Sequence, residues 1–143
     1  MFGTAEPDAG VRDREAALQL ATAVLMIEVA RADYEFSESE FDRLLQLIEN
    51  HFELTPEQAA ELVNMASDEA DQLISVRDFT KILHKHLTVD DKARIVSLLW
   101  KIAYADGRLD KYEDALVNKI SDLLYVSRGR AMRLKYDAQQ HDN

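Results

Sequence analysis

Ala103-Tyr104-Ala105-Asp106-Gly107-Arg108-Leu109-Asp110-Lys111-Tyr112-Glu113 is the second copy of a motif. The first copy stands seventy-three residues earlier as Ala30-Arg31-Ala32-Asp33-Tyr34-Glu35-Phe36-Ser37-Glu38-Ser39-Glu40. Both follow Ala-x-Ala-Asp-x-x-(Phe/Leu)-(Ser/Asp)-x-x-Glu. Upstream, Leu25 to Val29 lies over Leu98 to Ile102. Each copy reads as a helix end, a tight turn and a helix start. Ser37-x-x-Glu40 is a capping box and Asp110-x-x-Glu113 its Asp-headed analogue, in which the cap oxygen takes an orphan N–H of the new helix. The Glu of each pair suits the positive end of the helix dipole. Phe36 and Leu109 stand in the staple position before the caps.

The rest of the chain fits helices around these turns. Asp13 to Ala32 is expected as the first helix, apolar nearly all round from Ala16, as suits the middle of a bundle. Ser37 to about His51 is the second, with Phe41, Leu44, Leu45 and Ile48 at helical spacing. Thr55-Pro56-Glu57-Gln58 opens the third with a cap and a proline at the first helical position. Ser75 opens a fourth, a joint between the copies, with Phe79, Ile82, Leu83 and Leu87 expected inward. Thr88 caps a fifth, Val89 to Ala105, the core partner of the first. Asp110 to about Leu124 is the sixth, with Ala115, Leu116, Ile120 and Leu123 on one side, and Ser127 caps a seventh that ends near Gln140. The expected fold class is therefore all-α: one compact bundle of about seven helices, built from two three-helix repeats related by a pseudo-twofold. The expected layout is a flexible arm over 1–12 and one helical domain over 13–140. Within it, repeat one covers about 13–68, the joining helix 75–87 and repeat two about 88–140.

Composition bounds the function. The 143 residues include no Cys, so disulfides, thiolate zinc sites and cysteine nucleophiles are excluded. Gly (4) and Pro (2) are scarce, which favours helices with short connections. The longest apolar run is about Ala23 to Ile27, too short for a membrane span. The start lacks the basic-then-apolar order of a secretory signal, so a cytoplasmic location is expected. The net charge is −10, and Asp33 to Asp71 carries twelve acidic residues against Arg43 alone. That density opposes nucleic-acid binding through phosphates and favours cations or basic protein surfaces. Ser127 to Tyr136 runs the other way, with Arg128, Arg130, Arg133 and Lys135.

Asp106-Gly107-x-Leu109-x-x-x-Glu113 looks like the second half of a calcium loop. Counted back from Glu113 as position 12, positions 3 and 1 fall on Tyr104 and Ile102, which cannot ligate, so an ordinary EF-hand is excluded. The candidate metal residues are Asp33, Glu40, Asp106, Asp110 and Glu113, with helix capping as the competing reading. His84 and His86 are two apart on a helix and face different directions, so they do not pair on a metal. His51 stands at a helix end and His141 in the tail. No nucleophile elbow, phosphate-cradling glycine loop or dinucleotide fingerprint occurs. Trp100 and its apolar neighbours read as core.

The doubled motif carries a resemblance. Glu28-Val29-Ala30-Arg31-Ala32-Asp33 with Ser37-x-x-Glu40, and Ile102 to Glu113 as Ile-Ala-Tyr-Ala-Asp-Gly-Arg-Leu-Asp-x-x-Glu, resemble the tellurite-resistance protein B (TerB-like) family. The N-terminal domain of membrane-anchored DnaJ-type co-chaperones is similar. The resemblance covers roughly Leu18 to Lys135. It implies a pseudo-symmetric all-α domain, a link to tellurite and stress resistance, acidic clusters that bind cations, and membrane-bound partners. The chain departs at Tyr34, where the family motif commonly has Gly. The expected function is a non-enzymatic cytoplasmic binding or adaptor module with a protein partner, without nucleic-acid binding or membrane insertion. It needs no cofactor beyond a weakly held divalent cation. The alternative is a metal-dependent enzyme or a specific divalent-cation binder using the Asp33/Glu40 and Asp106/Glu113 turns.

Overall fold

The computed structural model describes residues 7–32, 38–73, 75–104 and 110–141, with side chains described from 14 to 140 within those spans. Seven helices fill them, and no strand occurs among the described residues. They are α1 (Pro7–Ala30), α2 (Glu38–Phe52), α3 (Pro56–Asp71), α4 (Val76–His86), α5 (Val89–Ala103), α6 (Lys111–Leu123) and α7 (Arg128–His141).

Local chemistry sets most boundaries. Thr55 accepts the Gln58 N–H while Gln58 returns a bond to the Thr55 N–H, a closed capping box with Pro56 behind it. Thr88 and Asp91 do the same at α5. Ser75 caps α4 through the Asp78 N–H. The Ser127 hydroxyl accepts from the Arg130 N–H at 3.3 Å to open α7. Two helix ends use a left-handed residue that is not glycine: Glu53 after α2 (φ 55°) and Tyr125 after α6 (φ 62°). In both, the following residue donates across six residues, Leu54 N–H to Glu49 C=O and Val126 N–H to Ser121 C=O.

α1 and α5 form the centre. Leu25, Val29, Leu99 and Ile102 are fully enclosed, as their near-continuous apolar helices require, and Trp100 joins them. α1 packs on α2, α3, α5 and α6; α5 packs on α1, α2, α6 and α7; α4 lies against α6. The hydroxyls of Thr22, Thr80 and Ser121 are carried into this interior, where each donates to the carbonyl four residues back.

Four expectations change. α1 begins at Pro7, so 7–12 of the expected arm is helical; Pro suits a first helical turn, whose N–H groups lack partners anyway. The remainder of that arm, 1–6, lies outside the described residues. Ile82 is 61% exposed, because α4 rests on its neighbour along the narrow stripe of Phe79 and Leu83. On α6 the buried residues are Glu113, Val117, Ile120 and Ser121, and Ala115 faces solvent, so the inward face is turned from the expected one. On α2, Phe41 is 41% exposed while the adjacent Glu40 is buried.

Candidate functional site

The two motif turns each deliver a glutamate to the third position of the following helix. Glu40 heads the stripe Glu40, Leu44, Leu47, Ile48 on α2, and Glu113 heads Glu113, Val117, Ile120 on α6. Spacings of three and four put each carboxyl on the same face as the apolar residues that seat the helix. The helix therefore carries its glutamate inward: Glu40 is 2% exposed and Glu113 4%. At the third helical position both lie near the positive end of a helix dipole, which favours a negative charge. Asp110 caps α6; its Oδ2 accepts the N–H groups of Tyr112 at 2.8 Å and Glu113 at 3.3 Å. Asp33 and Asp106, and the Ser37 cap, lie outside the described residues. Among the described residues, no three His, Asp or Glu side chains gather as a metal ion would require. What is described at these turns is thus one capping aspartate and two buried carboxyls.

The other described acids of the Asp33–Asp71 segment lie outside the core. Glu38, Asp42, Glu53, Glu57, Glu61, Asp68, Glu69 and Asp71 are exposed and Glu49 is half-buried. On α3 the helical period aligns Glu57, Glu61, Asn64, Met65 and Asp68 on the outward side, opposite Ala59, Leu62, Val63 and Ala66. Met65 stands 57% exposed within that acidic stripe.

A polar cluster that sequence spacing did not reveal joins the ends of α1 and α3. Arg31 donates to Asp71 at 2.7 Å and to the Ser67 hydroxyl at 2.8 Å. One turn before it, burial pushes the half-buried Glu28 carboxyl above its usual range, opposed by Arg31 and reinforced by Asp71. Only the i, i+3 spacing of Glu28 and Arg31 hinted at the pair; the partners on α3 are set by packing.

Cavities open between the described helices. One of about 410 Å³ lies between α5, α6 and α7, with Trp100, Ser121, Arg128 and Met132 on its walls. The Lys135 ammonium stands 5.0 Å over the Trp100 ring and pairs with Asp114 at 2.8 Å. Nearby, burial raises the Tyr104 phenol, with Lys135 opposing and Asp114 adding. A second cavity, about 340 Å³, is lined by Thr22, His51, Phe52 and Arg94. Burial lowers the His51 imidazole, and the charges of Arg94 and Lys101 lower it further. A third, also about 340 Å³, lies along α4, with His84 and Tyr125 on its walls.

The comparison with protein families bears on the whole bundle. A family model described as tellurite resistance protein TerB matches residues 19–136. The chain belongs to the TerB family. The match contains α1 from Gln19 onward, the whole of α5, both buried glutamates and the cap at Asp110. No curated protein and no solved structure matches the chain. Among the described residues, no helix of this TerB-family chain is long and apolar enough to cross a membrane.

Proposed function

We propose that this TerB-family chain is a non-enzymatic cytoplasmic binding module whose acidic surface engages a basic partner protein, including a membrane-bound one, or a cation. The observation that carries the reading is the outward stripe of α3, where Glu57, Glu61 and Asp68 surround the exposed Met65. Carboxylates steer a basic surface, and an unbranched apolar side chain among them supplies adaptable contact area.

The repeat belongs to the same reading. The helix contacts exchange when α1, α2 and α3 are replaced by α5, α6 and α7: α1–α3 becomes α5–α7, and α2–α5 becomes α6–α1. The left-handed residues Glu53 and Tyr125 are seventy-two apart, as are Thr55 and Ser127. These correspondences support two units related by a pseudo-twofold.

A second reading, a specific divalent-cation site at the two turns, is favoured by the burial of both Glu40 and Glu113. Carboxylate oxygens are the ligands that calcium and magnesium take. Two titrations separate the readings. A lysine-rich peptide carrying a leucine should bind, and Glu57→Gln with Glu61→Gln and Asp68→Asn should weaken it at least tenfold; equal binding by that variant would refute the adaptor reading. Calcium and magnesium, added in salt high enough to screen diffuse attraction, should leave the melting temperature unchanged. A saturable rise that disappears in Glu40→Gln with Glu113→Gln would establish the cation site in its place.

A further inference from the structure

The cavity along α4 has a chemistry opposite to that of the acidic stripe on α3. Arg77, Lys81 and Lys85 recur every four residues, and His84 stands beside them. All four line the cavity together with Asp78 and Thr80 of the same helix, and Leu123 and Tyr125 complete the lining. Among the described residues none of these three cations forms an ion pair, although the protein carries 27 carboxylates. Cations that stay unpaired in such surroundings, gathered on one concave face, form an anion site.

Two further features involve the lining residues His84 and Tyr125. Lys92 is only 7% exposed, and among the described residues its ammonium has no carboxylate partner; it meets Nδ1 of His84. A buried charge without a counter-ion is expensive, and an anion bound nearby would lower that cost. Tyr125 keeps a left-handed backbone (φ 62°) where glycine would be unstrained. Its ring lies 4.5 Å from the His84 ring, yet the residue is 75% exposed. An aromatic braced on one side and open on the other can stack a planar ring.

We infer that the groove between α4 and the end of α6 binds a nucleoside phosphate, its phosphoryl groups held by Arg77, Lys81, Lys85 and His84 and its base stacked on Tyr125. Three lining cations, against the single lining carboxylate of Asp78, suit a ligand of several negative charges rather than a monocarboxylate. A volume of about 340 Å³ lies in the range of small-molecule sites. The inference is independent of the acidic stripe on α3.

Isothermal titration of the full chain with ADP, pyrophosphate and adenosine, in metal-free buffer at about 0.15 M salt, tests it. ADP should bind one-to-one. Arg77→Ala and Lys81→Ala should each weaken it about tenfold or more, and Arg133→Ala, a change at an exposed arginine outside the groove, should not. Tyr125→Gly fits the left-handed backbone and should fold at least as stably, so its effect isolates the ring: ADP affinity should fall and pyrophosphate affinity should not. Adenosine alone should not bind measurably. No saturable ADP binding at millimolar concentration, or equal affinity in Arg77→Ala and Lys81→Ala, would overturn the site. Pyrophosphate binding as tightly as ADP, with Tyr125→Gly indifferent, would overturn the stacked base.

Discussion

Leu99→Ala tests the central place of α5 most directly. Leu99 is completely enclosed, in the middle of a helix that touches α1, α2, α6 and α7. Truncation removes three carbons, worth about 2.4 kcal/mol at about 0.8 kcal/mol each. Helices on several sides restrict collapse into the space, and the residual cavity raises the cost within the range of about 2–5 kcal/mol. Ile82→Ala is the control. It removes a similar apolar group from a side chain that is 61% exposed, and it should cost under about 0.5 kcal/mol. Urea unfolding of both variants, compared at equal slope, reads the difference. For a chain of this length the unfolding entropy is about 0.3 kcal/mol per kelvin, so a 3 kcal/mol loss lowers the melting temperature by about 10 °C. A loss under about 1 kcal/mol for Leu99→Ala, or equal losses for the two variants, would refute the reading of α5 as the packed centre.

Three other outcomes follow from local chemistry. Asp110→Ala removes the acceptor for two N–H groups at the start of α6 and should cost about 0.5–2 kcal/mol in urea unfolding; no loss would mean that water replaces the cap. Glu53→Gly should stabilise the fold by about 1 kcal/mol and Glu53→Ala should not, because only glycine enters the left-handed region without strain. Glu28 titrates above its ordinary 4.5 in the fold, so between the unfolded and folded values the native state holds more protons and stability falls as pH rises. Glu28→Gln should therefore flatten that fall in a series of melts from pH 4 to 7, and an unchanged slope would remove Glu28 as its source.

The sequence by itself determined the class of fold, the number of helices and most helix starts. These depend on residues within a few positions of one another: the Thr55–Gln58 box, the Ser75, Thr88 and Asp110 caps, and the two apolar helices whose lack of a polar face leaves only the centre. The doubled Ala-x-Ala-Asp motif also carried the family, since the match spans both copies. Which flank of an amphipathic helix faces in was less legible. Ile82 was expected inward, and spacing grouped Phe41 and Ala115 with the apolar residues of their helices; all three are exposed, because the neighbouring helices set which flank docks. The glutamates at positions 40 and 113 read as capping-box partners or metal ligands, and their burial was not legible, because it follows from the stripe they head being the one that docks. The left-handed ends at Glu53 and Tyr125 gave no glycine to read. The joining of Arg31 to Asp71 and Ser67, and of Lys92 to His84, crosses between helices. Periodicity along one helix cannot encode those pairs, because they depend on the angles and offsets at which whole helices pack.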